Sequence, residues 1–385
     1  MKPLMRPFGF GTMRLPLTDP DNPASIDQAQ VNRMADRFLE AGFTYVDTAY
    51  MYHNQMSEGA VRQAFVDRYP RDRFVLADKM PVAFVKTADD YPRFFAEQLD
   101  RCGVQYFDYY LLHNLSRKSL GLAESTGAFA YMQQLKAEGK ILHAGFSYHD
   151  TADLLEDLLQ KHPEMEFVQL QLNYIDWENE LIQARKNYEV CVRYGKPVVV
   201  MEPVKGGALA DPPEEVRALF HSVDADASPA SWAIRFAASL EGVFMVLSGM
   251  SNLAQMEDNL SFMRHFQPLG ETERSVLDRA VALLQARIAI PCTGCRYCVN
   301  HEPGCPMQIA IPEYFGIYNT VKAYGQAWST TLRYRNLRAE GHGAPGDCIG
   351  CGQCESHCPQ RIPIIDWLQK LAGMEELMEK GSFPL

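Results

Sequence analysis

The sequence predicts an α/β fold in which a (β/α)8 barrel is followed by a smaller, mainly helical domain rich in cysteine. Three observations support this prediction. Strand-like runs alternate with amphipathic helical stretches at a spacing of about thirty residues. The chain has 385 residues, whereas such a barrel needs roughly 250. Eight of the ten cysteines fall between Cys292 and Cys358.

Eight short β-rich runs supply the strands of the predicted barrel. They cover residues 8–12, 43–47, 74–79, 107–113, 141–147, 167–171, 197–201 and 243–248. A doubly wound dinucleotide-binding sheet is the alternative, and it requires Gly-x-Gly-x-x-Gly after the first strand. Gly9 and Gly11 do not complete that motif. The sequence therefore favours a (β/α)8 TIM barrel.

Helical periodicity fills the intervals between the strands, and several of these stretches end at a glycine, as helix C-termini often do. The predicted helices cover residues 27–41, 91–102, 128–138, 179–194 and 229–240, with 271–288 and 314–325 after the barrel. Cysteine, glycine and proline become frequent after the helix at 271–288. We therefore expect a barrel domain over residues 1–270 and a second domain over residues 271–385.

Composition excludes several classes of protein. Hydrophobic residues make up 47% of the chain and charged residues 22%, which is typical of globular domains and not of disordered chains. Acidic residues outnumber basic ones 48 to 37, which argues against a nucleic-acid partner. No apolar run is long enough to span a bilayer, and the N-terminal residues lack the apolar core of a secretory signal. We therefore expect a cytoplasmic protein without a membrane or nucleic-acid partner.

Two cysteine-rich segments carry the most specific signal in the chain. The first reads Cys-Thr-Gly-Cys-Arg-Tyr-Cys from Cys292 to Cys298 and continues to Cys305-Pro. The second reads Cys-Ile-Gly-Cys-Gly-Gln-Cys from Cys348 and continues to Cys358-Pro. Three cysteines spaced by two residues, then a fourth before proline, match the bacterial ferredoxin pattern. In that pattern the fourth thiolate serves the other cluster.

This crossing of the fourth thiolate predicts two 4Fe–4S clusters and a dicluster ferredoxin-like second domain. Their ligands are Cys292, Cys295, Cys298 and Cys358 for one cluster, and Cys305, Cys348, Cys351 and Cys354 for the other. Six residues separate Cys298 from Cys305, where the pattern has three, so the first segment departs from it. A single cluster and zinc sites are the alternatives, although zinc sites usually take two pairs of ligands.

Polar residues close three of the apolar strands, at the rim where barrel enzymes keep their chemistry. Asp47 ends the second predicted strand, Lys79 the third and His113 the fourth, and Tyr52 follows Asp47 by five residues. Each has a structural interpretation on its own, as an ion pair, a buried histidine or a packed aromatic ring. Together, on neighbouring strands, they predict a catalytic group.

These residues resemble the aldo-keto reductases. The resemblance rests on Gly-Phe-Gly-Thr-Met-Arg-Leu-Pro from Gly9, on Asp47 with Tyr52, on Lys79, and on Tyr-Tyr-Leu-Leu-His ending at His113. It implies that a nicotinamide cofactor delivers hydride to a carbonyl while the tyrosine protonates the developing alkoxide.

The resemblance covers roughly residues 5–265, and the cysteine segments look like the ferredoxin-type extension of one branch of that family. It also implies a role for each catalytic residue. Lys79 would bring the pKa of Tyr52 down toward the working range. Asp47 would hold Lys79, and His113 would orient the carbonyl as a neutral imidazole.

Cofactor-binding positions follow from the same resemblance. Ser147 and Gln169 fall where the family holds the nicotinamide carboxamide, and Met201 falls where it stacks a tyrosine on the ring. The family's lysine and arginine for a 2′-phosphate correspond to Gly249 and Gln255, so NADH is favoured over NADPH. The expected cofactor-binding residues are Ser147, Gln169, Met201, Lys205, Gly206, Ser248, Gly249, Met250, Gln255 and Asn259.

The expected function is that of an oxidoreductase that reduces a small-molecule carbonyl substrate with NAD(H) or NADP(H), coupled to electron transfer through the clusters. Clusters pass single electrons whereas nicotinamide passes a hydride, so direct coupling requires a carrier such as a flavin. The first alternative is an electron-transfer or redox-sensing protein on the same scaffold, without carbonyl reduction, that serves a one-electron redox partner protein. The second alternative is a partner-binding subunit whose barrel is a docking surface.

Overall fold

The computed structural model describes residues 7–20, 22–180, 182–287, 289–292, 294, 296–300, 304–324, 328–358 and 360–373. They fall into two compact units. The first comprises residues 1–203 and 231–269, and the second comprises residues 204–230 and 270–385, within the described ranges. Cys295, predicted as a cluster ligand, lies outside the described residues. Over those ranges, no helix is long and apolar enough to cross a membrane.

A closed barrel of eight parallel strands forms the first unit, which confirms the predicted fold class. Each strand pairs with its neighbours in sequence order, and the last strand pairs with the first. Every predicted strand overlaps an observed one. The strands are β1 Phe8–Gly11, β2 Tyr45–Asp47, β3 Val75–Met80, β4 Phe107–Leu115, β5 Ile141–Tyr148, β6 Phe167–Gln171, β7 Val198–Met201 and β8 Val243–Gly249.

Helices follow the strands along the chain and continue through the second unit. They are α1 Gln28–Glu40, α2 Ser57–Val61, α3 Asp90–Cys102, α4 Arg117–Ser125, α5 Ala128–Ala137, α6 Ala152–Lys161, α7 Ala184–Arg193, α8 Glu214–His221, α9 Pro229–Ala238, α10 Leu253–Met263, α11 Glu271–Gln285, α12 Tyr297–Asn300, α13 Ile311–Tyr324, α14 Trp328–Ala339, α15 Gln353–Ser356 and α16 Ile364–Ala372.

The helix predicted at 179–194 begins five residues later than expected. Asn179 forms a turn ahead of it, because its Oδ1 accepts a hydrogen bond from the Ile182 N–H at 3.1 Å, and Gln183 has a left-handed φ of 53° that lies outside the helical region. A short amide side chain that bonds to nearby backbone competes with helix formation. Helix α7 therefore begins at Ala184.

Side chains fill the interior of the barrel, so it is a packed core and not a channel. Aromatic and branched residues from alternate strands meet there, among them Tyr45, Leu111, Phe167, Val199 and Leu247. A packed interior leaves the rim at the carboxyl ends of the strands as the place for a site.

The second unit is mainly helical, as expected. Helix α13 supplies its apolar centre through Tyr314, Phe315 and Tyr318, against which Leu368 of α16 packs. Residues 204–230 belong to this unit, and Arg287 Nη2 bonds to Glu215 Oε2 of that stretch at 2.8 Å.

Candidate active site

A buried ion pair lies at the carboxyl ends of β2 and β3. Lys79 Nζ donates to Asp47 Oδ1 at 2.5 Å and to the backbone oxygen of Thr48 at 2.7 Å. Burial lowers the pKa of Lys79, but Asp47 and Tyr52 outweigh that effect and leave it above its usual value. Lys79 therefore stays protonated at neutral pH.

Tyr52 lies next to this pair, on the loop that joins β2 to α2. Lys79 Nζ is 4.9 Å from the centre of the Tyr52 ring, and the ring of His113 meets it edge-on at 5.9 Å between ring centres. The structure thus brings together the four residues predicted as catalytic.

The surroundings of Tyr52 contradict the expected lowering of its pKa. Burial raises the pKa of Tyr52, Lys79 lowers it only in part, and Asp47 raises it further, so the net direction is upward. Burial destabilises the phenolate form of Tyr52 more than the nearby Lys79 ammonium stabilises it. Tyr52 is therefore held in its protonated form at neutral pH, which is the form that a proton donor requires.

An irregularity in β4 places His113 at the rim. The register between β4 and β5 shifts between Leu112 and Leu115, and Asn114 has a left-handed φ of 59°. Ser147 Oγ accepts a hydrogen bond from the Asn114 N–H at 2.7 Å and holds this bulge. Bulges commonly redirect a side chain next to a site.

Burial, Lys79 and His149 all lower the pKa of His113, which lies well below its usual value. The imidazole is neutral at pH 7 and can donate one hydrogen bond. Among the described residues, His113 Nδ1 and Asp47 Oδ2 are buried without a hydrogen-bond partner. These are polar atoms that a bound molecule or water could satisfy.

Three buried hydroxyls hold the two ends of the loop that carries Tyr52. Ser57 Oγ lies 2.8 Å from Thr12 Oγ1 and 2.9 Å from Thr48 Oγ1, and Thr12 Oγ1 donates to the backbone oxygen of Asp47 at 2.9 Å. These contacts join the ends of β1 and β2 to the start of α2. Sequence reasoning missed them, because a serine before a helix also occurs as an ordinary cap.

The tip of the same loop is strained. His53, Asn54 and Gln55 have consecutive left-handed φ values of 52°, 53° and 70°, a conformation that costs energy for residues other than glycine. His53 Nε2 accepts from the Leu15 N–H at 3.1 Å, and Arg101 Nη2 donates to Gln55 Oε1 at 3.1 Å. These two anchors fix the segment directly after Tyr52.

On the side of β6 and β7, Gln169 and Met201 contact each other. Gln169 Nε2 lies 3.6 Å from Met201 Sδ, and Gln169 Oε1 is buried without a partner among the described residues. An orphaned amide oxygen at this place fits the carboxamide N–H₂ group of a nicotinamide. These two residues lie together, as the predicted ring-binding set requires.

The predicted cofactor-binding residues at and after the end of β8 bond to neighbouring protein groups. Ser248 Oγ accepts from Asn259 Nδ2 at 2.7 Å, and Gln255 Oε1 accepts from the Ser251 N–H at 2.7 Å. Met250 is buried.

Two further predicted cofactor residues belong to the second unit. Lys205 and Gly206 form part of the 3₁₀ turn Lys205–Gly207, and both have left-handed φ values.

In the second unit, the described cysteines line two cavities. Cys292, Cys298 and Cys358 line one cavity. Cys305, Cys348, Cys351 and Cys354 line the other. Each group is the one that the crossed ferredoxin pattern assigns to one cluster, apart from Cys295, which lies outside the described residues.

Apolar side chains complete both cavities, and Ile311 contributes to each of them. Over the residues that the structure describes, no three His, Cys, Asp or Glu side chains converge on the position of one metal ion. Cysteine thiolates are the ligands of 4Fe–4S clusters, and three or four described cysteines line each cavity. The donor set fits 4Fe–4S clusters.

Two known protein families match consecutive parts of the chain. The sequence profile described as the aldo/keto reductase family matches residues 7–281. The chain belongs to the aldo/keto reductase family. A second profile, described as a 4Fe-4S dicluster domain, matches residues 291–362.

Curated aldo/keto reductases are similar at moderate identity. An aldo-keto reductase of Mycobacterium avium (strain 104) is 26% identical over 226 residues, which is 58% of this chain and 72% of the relative. An NAD/NADP-dependent indole-3-acetaldehyde reductase of Schizosaccharomyces pombe (strain 972 / ATCC 24843) is 28% identical over 152 residues, 38% of this chain. That match spans only 48% of the yeast protein's length.

Solved aldo-keto reductases share the barrel. The holo form of one from Bacillus halodurans is 22% identical with a TM-score of 0.58, and the match covers 73% of this chain and 96% of that one. One from Klebsiella pneumoniae, solved in complex with NADPH, is 22% identical with a TM-score of 0.57, covering 71% and 90%. At this identity the likeness establishes the fold.

Proposed function

We propose that this aldo/keto reductase reduces a small-molecule carbonyl substrate with a nicotinamide cofactor and carries two 4Fe–4S clusters, which a carrier such as a flavin would couple to the nicotinamide. The observation that carries the proposal is the convergence of Asp47, Tyr52, Lys79 and His113 at one rim of the barrel. A protonated phenol, a buried ammonium and a neutral imidazole together suit proton delivery to a carbonyl oxygen that gains negative charge.

Each of these residues has a distinct part in the proposal. Tyr52 donates its hydroxyl proton to the carbonyl oxygen, and its raised pKa keeps that proton available. Lys79 stabilises the phenolate that remains, because its ammonium lies beside the ring. His113 hydrogen-bonds to the carbonyl oxygen as a neutral donor. Asp47 holds Lys79 through the buried ion pair.

The same rim holds the cofactor in the proposal. A bound, reduced nicotinamide supplies a hydride to the carbonyl carbon. Gln169 Oε1, which is buried without a partner among the described residues, would accept from its carboxamide, and Met201, which contacts Gln169, would contribute to holding the ring. The yeast relative is named as dependent on NAD or NADP and one Klebsiella structure contains NADPH, and both support a nicotinamide dinucleotide as cofactor.

Two clusters in the cysteine cavities are the second part of the proposal, with the domain boundary near residue 270. Bound 4Fe–4S clusters supply one-electron transfer. The match to a dicluster domain and the division of the thiols between two cavities support two clusters and not one. The cytoplasmic location stays a prediction.

Anaerobic purification followed by cofactor extraction and a turnover assay tests the enzyme proposal. We expect the protein to oxidise NADH or NADPH in the presence of a member of an aldehyde and ketone panel. Loss of that turnover in Tyr52→Phe supports the assignment. Full activity of Tyr52→Phe on the same substrate would overturn it.

Replacement of Cys305 tests the cluster assignment. Cys305 shares a cavity with Cys348, Cys351 and Cys354, so Cys305→Ala should remove or alter the cluster of the second segment. Iron analysis should give about eight atoms per wild-type chain, and electron paramagnetic resonance should show two interacting clusters that become one. Loss of the cluster bound at Cys292 would instead contradict the crossed ligand sets.

One alternative function has its own support. The ring-stacking tyrosine of the family is replaced by Met201, which contacts Gln169, and the second unit has two thiol-lined cavities. An electron-transfer or redox-sensing protein with a bound flavin would fit both features. Flavin in the extract, together with dye reduction but no carbonyl turnover, would favour this alternative and a one-electron partner protein.

A further inference from the structure

Arg14 lies across the last residue of β8. It ends the 3₁₀ turn Thr12–Arg14 that follows β1, and Gly11 pairs with Gly249 in the parallel register. A Cβ atom added to Gly249 would lie 3.2 Å from the Cβ of Arg14 and 3.3 Å from its Cγ and Cδ. The stem of Arg14 therefore fills the space that a side chain at position 249 would need.

The packing of Arg14 over Gly249 occurs where the family resemblance places a basic residue that this chain lacks. Gly249 and Gln255 stand where the family resemblance places a lysine and an arginine that grip phosphate. Gln255 cannot replace the charge of the arginine, because its side chain is a neutral amide, whose Oε1 accepts from the Ser251 N–H within the same loop. A dinucleotide brings negative phosphate groups to this rim, and their binding is strongest where a charged donor meets them.

We propose that Arg14, supplied from the end of β1, is the phosphate-binding cation of the cofactor site in place of a lysine at position 249. The assignment rests on the proposed nicotinamide dependence. Its ligand is a phosphate group of the dinucleotide, either the pyrophosphate or a 2′-phosphate. A guanidinium suits this role because its planar donors can contact two phosphate oxygens at once.

The backbone around Arg14 is held in place on both sides. Thr12 Oγ1 donates to the backbone oxygen of Asp47 at 2.9 Å and lies 2.8 Å from Ser57 Oγ. The Leu15 N–H donates to His53 Nε2 at 3.1 Å. The turn that presents Arg14 is therefore fixed to the loop that carries Tyr52, and a cofactor bound by Arg14 would be positioned relative to the proton donor.

Cofactor titration of the full-length, cluster-loaded protein tests this assignment. Dissociation constants for NADH and NADPH are measured by cofactor fluorescence in wild type, Arg14→Gln and Arg14→Lys. Arg33→Gln, on the exposed face of α1, is the matched control. We expect Arg14→Gln to weaken binding by about 10- to 100-fold, as the loss of one charged hydrogen-bond donor does. Arg14→Lys should retain most of the affinity, and Arg33→Gln all of it.

The two cofactors distinguish the two phosphate sources. Weaker binding of NADPH alone assigns Arg14 to the 2′-phosphate, and weaker binding of both assigns it to the pyrophosphate. Unchanged affinity of Arg14→Gln for both dinucleotides overturns the proposal. A wild type that binds neither overturns the nicotinamide dependence, and with it this assignment.

Moving the cation from position 14 to position 249 tests the proposal by a gain of cofactor affinity and not only by its loss. Gly249→Lys alone should weaken binding, because the new side chain presses on Arg14. The double variant Arg14→Gly with Gly249→Lys relieves that contact and returns a cation from β8. Recovery of affinity in the double variant supports the proposal. Affinity no better than that of Arg14→Gly alone, with cluster absorbance intact, contradicts it.

Discussion

On the rim formed by β2, β3 and β4, the predicted catalytic side chains contact one another, whereas on the rim of β8 the predicted cofactor residues bond to their own loop and helix. Lys79 reaches Asp47 at 2.5 Å and lies beside the Tyr52 ring. Ser248 and Gln255, by contrast, satisfy Asn259 and the Ser251 backbone.

The difference reflects the chemistry proposed for each part of the rim, a catalytic half on β2, β3 and β4 and a cofactor half on β8. Proton transfer needs a few side chains in mutual contact, so their types and spacing are strongly constrained. Holding an extended dinucleotide can be shared among many groups, including backbone, and a cation can come from a neighbouring strand. We therefore expect a resemblance by position to be a better guide to the catalytic half than to the cofactor half.

The largest expected effect is on the catalytic half. Tyr52→Phe removes the proposed proton donor while leaving the ring, so kcat should fall by about 10²–10⁴-fold. The dissociation constant for the cofactor should barely change, because the hydroxyl acts mainly in the transition state. Tyr50→Phe is the control, since the Tyr50 hydroxyl donates to Glu97 at 3.0 Å. Equal losses in the two variants would show that the loop, and not the phenol, matters.

A pH profile sharpens the same point. The raised pKa of Tyr52 keeps it protonated through neutral pH, and the lowered pKa of His113 keeps that ring neutral. The chemical step should therefore be flat across neutral pH and decline only as pH rises through the Tyr52 pKa. That alkaline decline should vanish in Tyr52→Phe. Its persistence there would assign it to another group.

Removal of the buried cation is the next largest change. Lys79→Met leaves Asp47 buried without its partner, and breaking a buried pair in this way typically costs about 3–5 kcal/mol of unfolding free energy. Asp47→Asn combined with Lys79→Met removes both charges and should recover part of that loss. Urea unfolding under anaerobic conditions measures both variants. A double variant no more stable than the single one would show that the lost charge pairing is not the cause.

A smaller effect is expected at the loop anchors. Ser57→Ala removes the hydroxyl that contacts both Thr12 and Thr48, and should lower the unfolding free energy by about 1–3 kcal/mol. It should also lower kcat by less than the Tyr52 change, because the loop loosens while the donor remains. Ser125→Ala, whose exposed hydroxyl bonds only within its own helix, is the control for a neutral serine replacement.

The fold was predictable because each strand is a short apolar run and each interval has helical periodicity. The late start of α7 was not, since it depends on how Asn179 bonds to its own turn and on the left-handed backbone of Gln183. The proximity of Asp47, Tyr52, Lys79 and His113 was predictable from their places at or near strand ends. The predicted lowering of the Tyr52 pKa was wrong, because the sequence shows the nearby lysine but not the burial that outweighs its effect.

The smallest expected effect is on the cofactor half, at Gln255. Its Oε1 accepts from the Ser251 N–H at 2.7 Å, so the side chain orders its own loop, and its amide carries no charge for a phosphate. Gln255→Ala should therefore change the dissociation constants for NADH and NADPH by less than about threefold, within the usual scale of a lost neutral hydrogen bond. Fluorescence titrations of Gln255→Ala and Arg14→Gln with the same cofactors compare the two losses of affinity directly. A loss at Gln255 as large as that at Arg14 would mean that the loop after β8 does grip phosphate, and the two halves of the rim would then follow the family pattern alike.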